Sequence, residues 1–152
     1  MSPVPSIADL LGVASQFTHD GKTYELREPT LLEQGKFTRW LEQRAREAVF
    51  RATDMSRDQQ ERAERSVMRD IAGCVYEWGG EASMTATLTP AGMARLVYIV
   101  LSTNHPEVTP EIAAEMVDTR MREIAAILTG ATADPKAPVS YTHLTLPTIC
   151  SV

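Results

Sequence analysis

The chain has 152 residues, with 20 acidic against 15 basic side chains and a formal net charge of −5. That balance argues against a nucleic-acid groove as its main business, because phosphate binding rests on a Lys/Arg excess. Ample apolar residues and few aromatics describe an ordinary globular domain rather than a disordered chain.

The chain opens "MSPVPSIADLLGVAS", without the basic stretch of a signal peptide. A short helix is expected over 6–11, with Ser6 as N-cap and Gly12 as stop. In "QFTHDGKTYELR" the Asp20-Gly21 pair suits a type I′ turn, which needs positive φ at both central positions. A hairpin is therefore expected over about 15–27. Thr30 and Glu33 form a T-x-x-E capping box that opens a helix over 31–53. Ser56 and Gln59 repeat that signal, and the stripe Ala63, Val67, Ile71, Cys74, Val75, Trp78 predicts a helix to Trp78, stopped by Gly79-Gly80.

Residues 81–88 are small and polar and read as a loop or weak strand. Thr89-Pro90 is an N-cap followed by proline at the first helical position. The helix it starts, to about Ser102, contains the longest apolar run, 96–101, which marks it as the most buried. That run is far short of the roughly 20 residues that span a bilayer, so no membrane role and a cytoplasmic location are expected. The motif "TNHPE" breaks the helix before Pro106, and Thr109-Pro110 starts the last one, which Gly130 stops. The fold class expected is mainly α: an N-terminal hairpin followed by a small bundle of about four helices, in a single domain over 1–130.

Residues 131–138 read as a flexible exit, and 139–152 read as something other than native protein. The string "VSYTHLTLPT" can be encoded as the translated end of a transposon-based sequencing adapter in one frame. After it come an A, which opens the isoleucine codon at Ile149, then a short sample index, then GTG for Val152 and a stop. On this reading 139–152 derive from adapter read-through, as shotgun sequencing of an environmental or virus-rich sample can leave, and the true C-terminus lies elsewhere.

No constellation for catalysis, a cofactor or a metal is expected, because His, Cys, Asp and Glu do not converge in the pattern. His19 reads as a solvated turn residue. His105 reads as a corner residue whose ring caps the Leu101 or Ser102 carbonyl. With Cys150 in the suspect tail, Cys74 stands alone on an apolar stripe and reads as a small hydrophobe, with no internal disulfide. The arginine face of Arg39, Arg46, Arg57, Arg62, Arg65 and Arg69 reads as solvated, with an acidic partner as the alternative.

Two stretches, "FTHDGKTYELREPTLLEQGKFTRW" and "VYIVLSTNHPEVTPEIAAEMV", resemble the tail assembly chaperones of tailed bacteriophages. In that family a "DGKxYxLRxPT" hairpin leads into a helical domain, and an apolar helix is followed by an "HPE(I/V)TPE" corner. The resemblance covers about a third of the chain. It implies a non-enzymatic factor in the host cytoplasm that binds the helical tape-measure protein during tail morphogenesis. Self-association is a further possible contact, and the acidic balance and short apolar run argue against a nucleic-acid or membrane partner. Many members also have a frameshifted longer form. For a client helix the candidate contacts are Phe37, Trp40, Leu41, Met116 and Met121. Two alternatives stand beside this one. A helix-turn-helix regulator would use "VTPEIAAEMVDTRMR", against which Glu107, Glu111, Glu115 and Asp118 crowd the helix start. A minor virion component, such as a head-tail connector, would remain in purified particles.

Sequencing the native locus from DNA prepared without that adapter should read different codons after position 138. The same bases there would show that 139–152 are encoded.

Overall fold

The computed structural model describes residues 15–128; the expected helix at 6–11, the exit at 131–138 and the stretch 139–152 lie outside them. Strand β1 (Ser15–His19) pairs antiparallel with β2 (Lys22–Leu26), with Phe17 opposite Tyr24 and His19 opposite Lys22. Asp20 and Gly21 have φ of 49° and 75°, the two left-handed positions that the turn requires. Alternation then sends Phe17, His19, Tyr24 and Leu26 to one buried face, while Gln16, Thr18, Thr23 and Glu25 stay exposed.

Helix α1 (Leu31–Arg51) begins at a complete capping box: Thr30 accepts from the Glu33 amide, and Glu33 accepts from the Thr30 amide. Glu33 does more than cap. Its carboxylate takes a two-pronged bond from Arg27 at 2.7 and 2.9 Å and approaches the Thr103 hydroxyl at 3.5 Å. Only 3% of Glu33 is exposed. Burial alone would raise its pKa, but the bonds from Arg27 and Thr30 outweigh that and hold it below the ordinary value. The exit of the hairpin, the start of α1 and the Thr103 corner thus meet on one carboxylate.

Helix α2 (Arg57–Ala72) also starts at a full capping box, Ser56 with Gln59, and packs against α1 without burying any residue of its own. It ends at Ala72, six residues before the expected Trp78. Gly73 caps it, its amide donating to the Arg69 carbonyl, and Cys74 follows at a φ of 58° with its amide donating to the Ile71 carbonyl. The left-handed step breaks the stripe and returns Trp78 to the core, where its ring meets Phe37 edge-on at 5.7 Å. Cys74 is disulfide-bonded, against the expectation of a lone thiol; the chain's other cysteine, Cys150, lies outside the described residues.

The stretch expected to be a loop or weak strand is a helix, α3 (Glu81–Thr87), with Gly80 as an N-cap that makes no side-chain bond. Helix α4 (Pro90–Leu101) starts, as expected, at Thr89 with proline at its first position. Seven of its residues are buried, including Met93, Leu96, Val97 and Val100. It packs against α1, α3, β2 and α5 (Pro110–Leu128), so it is the axis of the domain. Helix α5 kinks at Arg120 (φ −135°, ψ 31°). Just before the kink the Thr119 hydroxyl donates to the Glu115 and Met116 carbonyls, a side-chain competition that bends helices. The mainly helical fold with a leading hairpin is as expected, with five helices among the described residues. No single helix there is long and apolar enough to cross a membrane.

The right-angled passage from α3 into α4 depends on Gly92. A Cβ built there collides with the backbone carbonyl of Ala86, which already accepts from the Thr89 amide and hydroxyl. Backbone cannot yield as a flexible side chain does, so Gly92→Ala should destabilise the domain by about 3 kcal/mol in urea unfolding. Gly35, in the second turn of α1 with nothing within 4 Å of its Cβ position, is the matched contrast. There Ala should stabilise by about 0.5–1 kcal/mol. Equal effects at the two sites would contradict the α3–α4 contact.

Candidate functional site

The close passage of α3 over α4 leaves an apolar groove on the surface. Its floor is Met93 and Leu96 of α4, its walls are Met84 of α3, Leu88 and Trp78, and its far end is Leu128 of α5. Glu28, Pro29 and Gln34 close the side nearest the hairpin, held by a bond from the Gln34 side-chain amide to the Pro29 carbonyl at 3.1 Å. The volume is about 270 Å³. Met84 is about half exposed and Leu88 is 70% exposed, so the rim presents two large apolar side chains, one helical turn apart, to solvent.

A second cleft of about 420 Å³ lies between α1 and α4. Its character is different: Lys36, Arg39 and Arg95 surround Trp40 and Tyr98. The Arg95 guanidinium stands 5.0 Å over the Tyr98 ring, a cation–π placement, and its Nε is buried without a hydrogen-bond partner. Arg44 stands 4.8 Å over the Trp40 ring.

The residues proposed from sequence as client contacts do not converge on one surface. Phe37 and Met116 are completely buried and belong to the core, so they present nothing to a partner on this surface. Trp40 and Leu41 are half-buried against that core; Trp40 lines the basic cleft, and Leu41 lines neither cleft. Met121 is 44% exposed and lines a shallow depression with Ala91, Ala94 and Asp118. Sequence reasoning missed Met84 and Leu88, although their i, i+4 spacing is a helical-face signal once 81–87 is taken as helix.

Both histidines sit differently from expectation. His19 is buried, not solvated, because it shares the inward face of β1 with Phe17. Its Nε2 lies 3.6 Å from Asp20 Oδ2 and 3.9 Å from Glu115 Oε2. The backbone amide of His105, not its ring, donates to the Leu101 carbonyl at 2.8 Å. Its ring packs edge-on to Tyr24 at 5.1 Å, with Nδ1 3.5 Å from a Glu107 oxygen. Two of the six arginines of that face are paired locally: Arg57 and Arg65 both reach Glu61, and exposed pairs of this kind contribute little. Comparison of the chain with family models, with curated proteins and with solved structures gave no match.

Proposed function

We propose that this chain is a non-enzymatic helix-binding chaperone of phage tail assembly, acting in the host cytoplasm, and that its groove takes amphipathic helices of the tape-measure protein. The observation that carries the reading is the apolar groove with Met84 and Leu88 exposed on its rim. At about 270 Å³ it is a little smaller than the roughly 300–1,000 Å³ of most small-molecule sites. It suits the anchor side chains that a helix projects at i, i+3, i+4 and i+7. Methionine in its floor, Met93, and on one wall, Met84, gives a lining that adapts to different anchors, which a chaperone for a long helical client needs. The separate basic cleft between α1 and α4 offers Lys36, Arg39 and Arg95 to acidic residues of a partner. The family resemblance of the hairpin and of the His105 corner names the client.

Synthetic helical peptides covering the tape-measure frame of the same locus, titrated into the chain, should include several that bind. A Met84→Glu/Leu88→Glu double variant, altered only at exposed rim positions, should bind them at least about tenfold more weakly while keeping its helical circular dichroism. Purified virions should lack the chain. Absence of binding by every peptide, or unchanged binding by the double variant, would contradict the proposal. Salt-sensitive retention on DNA would favour the regulator instead.

A further inference from the structure

His19 is 8% exposed, and its Nε2 is buried with no hydrogen-bond partner. A buried ring nitrogen left without a bond is unfavourable, and buried polar atoms are seldom left so. This one faces two carboxylates, at 3.6 Å from Asp20 and 3.9 Å from Glu115, both too long for a hydrogen bond. One ligand atom from each of the three side chains lies within 4.8 Å of the other two. An ion held about 2.1 Å from such atoms sets them roughly 3.4 Å apart in a tetrahedral shell. The cluster therefore has to contract only modestly. The two carboxylates, 82% and 63% exposed, are free to rotate inward onto a ring fixed in the core.

We infer that His19 Nε2, Asp20 and Glu115 bind a first-row divalent cation, with Zn²⁺ favoured over Ca²⁺ and Mg²⁺. Two carboxylates neutralise the ion's charge, and the imidazole selects against the hard, oxygen-seeking cations. Three protein ligands leave a further position for water on the exposed side. The ion would join the turn of the hairpin to the first half of α5, a link between elements that the sequence separates by almost the length of the domain. Lys22 is His19's cross-strand neighbour; it is exposed and forms no ion pair with either carboxylate among the described residues. None of the three ligands lines the apolar groove, so this site stands or falls independently of the chaperone reading.

The test is calorimetric titration of the untagged full chain with ZnCl₂, paired with thermal melting. One ion should bind per chain and raise the melting temperature, because only the folded state assembles the three ligands. MgCl₂ at the same concentration should do neither. Glu115→Gln, at an exposed helical position, and Asp20→Asn, which keeps a residue suited to positive φ, should both fold normally. Each should bind Zn²⁺ on the order of tenfold or more weakly. His105→Gln should bind as the parent does. No Zn²⁺ binding, undiminished binding by both carboxylate variants, or loss on changing His105 would overturn the assignment.

Discussion

One carboxylate carries more of this fold than its position suggests. Glu33 sits in the first turn of α1, where a negative charge already favours the helix N-terminus. It also accepts from the Thr30 amide and from both guanidinium prongs of Arg27, and it reaches Thr103 beyond the end of α4. A carboxylate this enclosed is tolerated only when its oxygens are satisfied, and here Arg27 and Thr30 come from the connection between the hairpin and α1, and Thr103 from the far corner. The hairpin cannot swing away from α1, nor the α4–α5 corner lift off, without stripping a bond from a buried charge. The aromatic contacts on the same side, Phe17 on Tyr24 and Tyr24 on His105, add area to a junction whose geometry the carboxylate sets.

The opposite constraint operates at the other end of α4. There the decisive feature is a missing side chain: Gly92 admits the Ala86 carbonyl, α3 crosses close, and Met84 and Leu88 are lifted into solvent beside the groove. Burying α3 more deeply would have removed those side chains from the surface. The domain thus has a well-fastened half, built on Glu33, and a half where a short helix without a side-chain cap leaves apolar surface uncovered. Short, lightly held elements of this kind are where binding surfaces that must adapt are commonly drawn from.

Much of this was legible because the helix starts are chemical signals. Thr30, Ser56 and Thr89 each cap the helix predicted for them, and the Asp20-Gly21 turn has the backbone its residues call for. The end of α2 was missed because Cys74, Val75 and Trp78 stay in phase with the stripe before them, which hid the stop at Gly73. Helix α3 was missed because "EASMTAT" has no side-chain cap and a weak apolar pattern. It is held by the backbone approach at Gly92, which no local window reveals. His19 was legible and overlooked: two residues from Phe17 on a strand, it had to share the buried face. The candidate contacts failed as a set because periodicity gives a stripe but not its depth. Phe37 and Met116 lie at its centre, while Met121 falls beside the kink at Arg120 and emerges.

The most direct measurement is the stability of the parent and of Glu33→Gln by urea unfolding as a function of pH. The Glu33 carboxyl titrates below its ordinary value of 4.5 in the folded chain. Its contribution is therefore fully present above that value and is lost as pH falls through the lower folded pKa. Glutamine keeps the shape and lacks the charge, so the variant should be less stable by about 2 kcal/mol at pH 7. The gap should close as the solution is acidified below about pH 4.5. A gap independent of pH, or no gap at neutral pH, would contradict the claim that this carboxylate fastens the hairpin, α1 and the α4–α5 corner together.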